Sequence, residues 1–408
     1  GKGAVLIEGA KWCGKTSTGE QQAKSVIYMS DSARRDQYRI FVDSTPKVIL
    51  DGETPRLIDE WQQTPKLWDM VRFEVDHRHG MGQFILTGSA VPAKLEELHH
   101  TGTGRIARLL MRPMSLWESG DSNGTISLKE LFTSPKSIAA ENNNDLQRIS
   151  YLICRGGWPQ AALLDDDEEI ALDQAIDYYD AVVNADIQRV DGVERNPERV
   201  KRLMKSYARS QGTQTSLAEI RNDMLANDQS ALDEKTVSSY LDALRKIFVI
   251  EDMPAWNPNL RSKTSIRTTD TRYFVDPSIA TAALSIGPND LMNDLNTLGL
   301  FFETLCVRDL RVFAQALDGN VFHYRDKTGL ECDTVVHLRN GDYGLIEIKI
   351  GGDKLIEEGA ANLKKLSQKI DTTKMKSPSF LMILTAVGSF AYRREDGVYV
   401  VPIGCLKD

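Results

Sequence analysis

Cysteine is scarce in this 408-residue sequence: Cys13, Cys154, Cys306, Cys332 and Cys405, an odd number with no CxxC pair among them. That pattern argues against a disulfide framework and points to a reducing, cytoplasmic setting. Long apolar runs are missing as well, so no stretch reads as a membrane-spanning helix. The first residues, GKGAVLIEGA, carry no signal-peptide pattern. There is no excess of positive charge. A net charge of -8 excludes a uniformly basic surface, so any nucleic-acid contact has to come from a local basic patch. Internal repeats and extended low-complexity tracts are absent, which excludes solenoids and fibrous arrays.

What is present fits a soluble α/β multidomain protein. Hydrophobic residues make up 41% and charged residues 26%, and the length is enough for two to three separately cored domains. Residues 1–120 alternate short apolar strands (AVLI, VIYM, RLID, FILT, RIARLLM) with helical stretches, the rhythm of a parallel sheet with covering helices. Residues 118–146 are rich in Gly, Ser and Asn and read as loop around a short helix at Leu128–Phe132, so 121–195 is expected to be linker and helical segment. Helical patterns at 147–154, 168–189, 197–210, 216–226 and 234–247 come next. The last runs into FVIEDMPAW and a basic hairpin-like stretch, the order of a winged helix over 196–276. Residues 290–408 read as a mixed α/β domain with its own core.

The sharpest motif is GAKWCGKT at residues 9–16, which fits GxxxxGK[ST] between an apolar strand and a helix. Gly9 and Gly14 let backbone N–H groups turn toward phosphate oxygens, and the helix N-terminus favours negative charge. Lys15 reaches the β- and γ-phosphates, Thr16 offers a hydroxyl to Mg²⁺, and Ser17 completes the expected nucleotide-binding set. In RLIDEWQ, Asp59 ends an apolar strand, where it can hold Mg²⁺. Glu60 can orient or deprotonate the attacking water. FILTGSA puts Thr87 and Ser89 at a strand end, in reach of a γ-phosphate. Arg105, in GTGRI, is the candidate arginine finger, acting in cis or from a neighbouring subunit. ATP and Mg²⁺ are therefore the expected cofactors.

The stretches LIEGAKWCGKT, LIDEWQ, FILTGSA, GTGRIARLLMRPMSLWE and RGGWPQA together resemble the bacterial and archaeal AAA-type ATPases that carry a C-terminal domain of unknown function. The resemblance spans essentially the whole chain. It implies ATP binding at Gly14, Lys15 and Thr16, a hydrolytic role for Asp59 and Glu60, and Arg105 as the matching arginine. It also makes a homo-oligomer or ring plausible. Trp12-Cys13 departs from the small or polar residues usual in that loop.

A second candidate site lies at 303–349. Glu303 sits on a helix, Asp333 in ECDTVV and Glu347-Ile348-Lys349 in LIEIKI. Period-2 alternation places Glu347 and Lys349 on one strand face. Asp333 and Glu347 are candidate Mg²⁺ ligands, Glu303 an assisting carboxylate and Lys349 a group that positions water or neutralises charge. The order helix–strands–helix–strand with D…ExK resembles the restriction-endonuclease-like fold. The alternative is a Glu347–Lys349 pair that binds nothing. In the winged-helix stretch, Thr236–Lys246 is the expected recognition helix, with Arg261, Lys263 and Arg267 in the wing. Residues 191–272 hold 14 basic and 12 acidic side chains, only mildly basic. Three functional readings stand at this point: an ATP-driven enzyme acting on DNA, an ATP-controlled switch with an inactive nuclease-like scaffold, and a small-molecule kinase, for which the sequence offers no second substrate site.

Overall fold

A computed structural model describes residues 1–89, 102–133, 138–164, 167–225, 233–258 and 269–408. They fall into two compact units. The first comprises Gly1–Pro113, Asp180–Pro197 and Ser239–Val249; the second comprises Met114–Tyr179, Glu198–Ser238 and Ile250–Asp408. This division does not follow the four boundaries expected from the sequence, because the middle helices are shared out between the two units.

In the first unit the chain runs β1 (Ala4–Glu8), α1 (Lys15–Gln22), β2 (Ser25–Tyr28), α2 (Arg35–Ser44), α3 (Lys47–Leu50), β3 (Arg56–Asp59), α4 (Leu67–Arg78), β4 (Phe84–Gly88) and β5 (Ile106–Leu110). The five strands form one sheet in the order β2-β3-β4-β1-β5, every pairing parallel. Their continuous apolar character is what a parallel sheet covered on both faces requires. On one face Leu6, Ile58, Phe84 and Leu86 pack with Val42, Ile49, Leu50, Trp68 and Val71 of α2, α3 and α4. On the other, Ile7, Leu57 and Ile85 form a smaller cluster. There Gly19 of α1 comes so close that a Cβ would stand 3.0 Å from Leu57. Parallel pairing brings the carboxyl ends of β1, β3 and β4 to one edge, and these ends carry the phosphate loop, Asp59 and Thr87.

Beyond β5 the chain continues with β6 (Ile126–Ser127), α5 (Leu128–Thr133), β7 (Ala140–Glu141), α6 (Leu146–Arg155), α7 (Pro159–Leu163), α8 (Glu168–Ala181), α9 (Pro197–Arg209), α10 (Leu217–Leu225), α11 (Glu234–Lys246), α12 (Pro277–Leu284), α13 (Pro288–Asn293) and α14 (Leu295–Ala316), all in the second unit except the end of α8, the first residue of α9 and α11 from Ser239 on. Then come β8 (Gly319–Arg325), β9 (Glu331–Leu338), β10 (Tyr343–Lys349), α15 (Asp353–Lys369), β11 (Phe380–Thr385), β12 (Phe390–Arg393), β13 (Tyr399–Pro402) and β14 (Leu406–Lys407). The seven-stranded sheet has the order β7-β12-β13-β11-β10-β9-β8. Strands β8, β9 and β10 form an antiparallel meander; α15 then crosses over so that β11 pairs parallel with β10.

Three expectations are corrected here. Residues 118–146 are more than linker: β7 pairs with β12 and β6 pairs with β14, so this stretch is woven into the second unit. Two-residue strands leave no periodic signal. The helix expected over 168–189 ends at Ala181 and passes through a π turn (Val182–Asp186) and a 3₁₀ turn (Ile187–Arg189). Among the described residues the strand-like FVIEDMPAW makes only isolated bridges, Ile250 to Phe274, Met253 to Thr271 and Ala255 to His323. Arg261, Lys263 and Arg267 lie outside the described residues.

Two family-like blocks of the sequence turn out to hold this unit together. Asp276 Oδ2 accepts from Gly157 N at 2.9 Å and from Arg308 at 2.9 Å, and Asp309 Oδ2 accepts from Leu116 N at 2.9 Å. Trp158 Nε1 donates to Ser278 Oγ at 3.0 Å. A Cβ on Gly157 would lie 2.2 Å from Met114 O, so glycine is required there. RPMSLWE and RGGWPQA are thus joined through the buried, ion-paired Asp276, Arg308 and Asp309.

Candidate nucleotide site and a second carboxylate–lysine cluster

The loop of residues 9–16 needs unusual backbone at three points. Gly9 has φ +154°, and a Cβ on it would meet Met111 O at 2.0 Å. Gly14 has φ +96° where α1 begins, and Trp12 takes φ +64° although it is not glycine. A bulky residue in the left-handed region is strained, a feature concentrated at functional sites.

Lys15 is buried. Its Nζ donates to Ala10 O at 2.6 Å and lies 3.9 Å from Cys13 Sγ. Among the described residues it makes no ion pair. Burial lowers its pKa, against the pull of Cys13, Glu60 and Asp59. A buried ammonium held by a carbonyl and a thiol fits an incoming polyphosphate. Thr16 Oγ1 and Thr87 Oγ1 each donate to Asp59 Oδ1 at 2.7 Å, so three predicted site residues meet at one carboxylate oxygen. Glu60 follows in the left-handed region, φ +55°, which turns it out of the strand direction. Gln62 Nε2 donates to it at 2.5 Å, and burial, then the charge of Asp59, raises its pKa. Ser89 is buried at the end of β4, and Ser17 is exposed on α1.

Arg105 is not with them. It precedes β5; its carbonyl accepts from Ala4 N at 3.1 Å, and its guanidinium pairs with Asp76 at 2.8 Å. That is the amino edge of the sheet, whereas the phosphate loop leaves the carboxyl end of β1. The intervening strand spans roughly 13 Å, so Arg105 does not reach the loop of its own chain. Sequence reasoning missed the ion pair of Lys11, in the loop, with the largely buried Asp186 of the π turn. A contact 175 residues away in sequence leaves no local signal.

In the second unit Glu303 (α14), Asp333 (β9), Glu347 and Lys349 (β10) converge. Lys349 Nζ lies 2.6 Å from Glu347 Oε2 and 3.0 Å from Asp333 Oδ2. Asp333 also accepts from Ile348 N at 2.8 Å, and Asn362 of α15 donates to Glu347 at 2.6 Å. Tyr273 OH donates to Glu303. Burial, then the charge of Asp333, holds Glu303 and Glu347 well above the usual carboxylate range. Burial opposes charge on Lys349, but Asp333 and Glu347 outweigh it and raise its pKa. Among the described residues no group of three His, Cys, Asp or Glu is disposed to hold a metal ion. The expected metal pair Asp333–Glu347 is instead bridged by the Lys349 ammonium. Asn362 and Tyr273, both missed, come from elements that carry no motif.

On the expected recognition helix α11, Val237, Leu241 and Leu244 are buried, while Ser239, Asp242 and Lys246 are exposed. Arg245 pairs with Asp242 at 2.9 Å.

A five-stranded parallel sheet whose first strand runs into GxxxxGK[ST], with an Asp at the end of β3 bonded to the loop threonine, defines the P-loop NTPase class. Comparison with known families agrees. Residues 1–119 match the family described as AAA domain, and the chain carries such a domain at its N-terminal side. Residues 298–406 match a domain of unknown function (DUF4143) and residues 146–290 another (DUF8612). The pairing of AAA-type P-loop ATPase and C-terminal domain that the sequence resemblance implied is therefore present. Uncharacterized proteins of Mycobacterium bovis and Mycobacterium tuberculosis are each 23% identical over 350 residues, covering 85% of this chain and 70% of theirs. Among solved structures, the Walker-type ATPase of Pyrococcus abyssi is similar at 15% identity over 69% of this chain and 91% of its own, with a TM-score of 0.42. The Aeropyrum pernix ORC1 protein, solved in complex with DNA, matches at 13% identity over 72% and 87%, with a TM-score of 0.22. Among the described residues no helix is long and apolar enough to cross a membrane.

Proposed function

We propose that this AAA-type protein binds ATP with Mg²⁺ at Gly9, Gly14, Lys15, Thr16 and Ser17, hydrolyses it, and uses the cycle to act on DNA. The observation that carries the ATPase part is the meeting of Thr16, Thr87 and Asp59 at one carboxylate oxygen beside the buried Lys15. Mg²⁺ held by Thr16 and Asp59 would neutralise charge on the β- and γ-phosphates. Glu60, its pKa raised, is suited to take a proton from the attacking water. Thr87 would register the γ-phosphate through Asp59. Arg105 acts on the site of a neighbouring copy, which calls for a homo-oligomer or ring. Five free, buried thiols accord with a cytoplasmic setting.

For the C-terminal unit, the helix–meander–helix–strand order and the convergence of Glu303, Asp333, Glu347 and Lys349 support a restriction-endonuclease-like module, and α9–α11 are read as a winged-helix-like segment. The Lys349 bridge favours a second reading, in which this cluster is a catalytically inactive scaffold and ATP controls a DNA- or protein-binding switch.

The test measures ATP hydrolysis by the protein and by Lys15→Ala, with and without DNA. Removing one preorganised phosphate contact is expected to lower turnover by about 10²–10³-fold. Equal turnover by the two proteins would remove Lys15 from the reaction. DNA stimulation favours the DNA-acting enzyme, and ATP binding without turnover favours the switch.

A further inference from the structure

We infer that α9, rather than the expected recognition helix α11, carries the phosphate-contacting surface for duplex DNA, and that it leads the strand toward the Glu303–Lys349 cluster. The inference rests on the DNA reading above.

Residues 197–209 of α9 hold five basic side chains (Arg199, Lys201, Arg202, Lys205, Arg209) against one acidic, Glu198, in a chain of net charge -8. Val200, Leu203, Met204 and Tyr207 are buried, which leaves the opposite face outward. That face carries Lys201, Lys205 and Arg209 at intervals of four residues with Arg202 beside them. Lys205 and Arg202 are exposed, and the side chains of Lys201 and Arg209 are 43% and 46% exposed. Four residues advance an α-helix by about 6 Å, over which a DNA strand running alongside passes about one phosphate. The stripe therefore matches a phosphate backbone lying along the helix.

Two of its ion pairs, Lys201 with Glu198 at 3.2 Å and Arg209 with Asp223 at 2.5 Å, are solvent-exposed, the kind worth little and yielded readily to a polyanion. By contrast, α11 holds three basic residues against two acidic, and its exposed face includes Glu234 and Asp242.

The chain just past the end of α9 comes close to the cluster. Just beyond Arg209 the chain turns at Gly212, φ +67°, where a Cβ would stand 3.2 Å from Glu303 Oε1. A carboxylate-rich site meant to receive a phosphodiester needs cations along the approach. α9 supplies them on the element whose following turn lies beside Glu303.

The test titrates a fluorescein-labelled 30-base-pair DNA duplex with the full chain by anisotropy at several salt concentrations. The variants are K201E/R202E/K205E on α9, its neutral counterpart K201Q/R202Q/K205Q, and K235E/K246E on α11. Circular dichroism and DNA-free ATP hydrolysis check that each variant is folded. The α9 variants should bind at least about tenfold more weakly, and the slope of log K against log salt should flatten by about 3, near 0.9 for each phosphate no longer neutralised. The α11 variant should bind as the parent does. If the parent binds and the α9 variants keep its affinity and slope, or if the α11 variant is the one that binds more weakly, the assignment to α9 falls and the DNA reading stands. If the parent shows no salt-dependent duplex binding, both fall together.

Discussion

The protein has one buried and one half-buried lysine at the ends of its sheets and treats them in opposite ways. Lys15, in the phosphate loop, is held by a carbonyl and a thiol, has no ion pair among the described residues, and has its pKa lowered by burial. Lys349, in the second unit, is gripped by two carboxylates and has its pKa raised. The first is a cation whose counter-charge has to arrive from outside; the second is already neutralised from within. The difference teaches where free energy is held in reserve. A desolvated, unmatched charge is costly in the ligand-free state and becomes productive only when an anion binds. A bridging ammonium stabilises the resting fold and has to be displaced or recruited before a metal or phosphate can use the same carboxylates.

Substitution of each lysine by a similar-sized apolar residue tests this contrast, and the larger effect is expected at Lys349. Lys349→Met leaves Asp333 and Glu347 facing one another with Glu303 nearby, and should cost about 2–3 kcal/mol, less than a fully buried pair because the lysine side chain is 23% exposed. The loss should shrink toward pH 5, where the carboxylates take up protons and no longer repel. Chemical denaturation at pH 5 and pH 8 reads both. A loss that does not vary with pH would mean that packing, not charge, is what Lys349 supplies.

Lys15→Met should act in the other direction. With desolvation outweighing the pull of Asp59 and Glu60 and no ion pair to break, it is expected to stabilise the nucleotide-free protein by about 1 kcal/mol while removing its response to ATP. Thermal unfolding with and without ATP and Mg²⁺ separates the two effects. If the methionine variant is instead less stable without nucleotide, the bonds to Ala10 and Cys13 outweigh desolvation and the contrast with Lys349 collapses.

The two regions also differ in how far the sequence disclosed them. The nucleotide site was legible because its parts are short and local: GAKWCGKT spans eight residues, and LIDE and FILTGSA each end an apolar strand of a parallel sheet, whose carboxyl edge gathers them without further information. The five strands of the first unit appear within a residue or two of their apolar runs. The C-terminal carboxylates and lysine were legible through the ExK alternation. Their partners were not, because Tyr273 and Asn362 arrive on segments without any pattern, and because the sequence carries no sign that Lys349 would bridge Asp333 and Glu347. Arg105 illustrates the same limit: its motif identified it, but which edge of the sheet it occupies follows only from the register of β5 against β1. Residues 121–146 were opaque for a different reason, since strands of two residues form only when the distant strands β12 and β14 are there to pair with them.

The smallest expected effect concerns Glu303, which faces Asp333, Glu347, Lys349 and the hydroxyl of Tyr273. Its folded pKa is raised above the ordinary 4.5, chiefly by burial and then by Asp333. Across the window between the two values the native state holds a proton that the unfolded state has released, so stability falls as pH rises through it. Below the window both states are protonated and nothing is lost; above it the penalty is complete. Glu303→Gln keeps an acceptor for Tyr273 and cannot ionise, so it removes this slope. The melting temperature of the glutamine variant relative to the parent should therefore increase from pH 5 to pH 8.5, by on the order of 2 °C. A difference that stays constant over that range would mean that Glu303 ionises in the native state as freely as it does in the unfolded chain, and that the cluster holds its three carboxylates charged without strain.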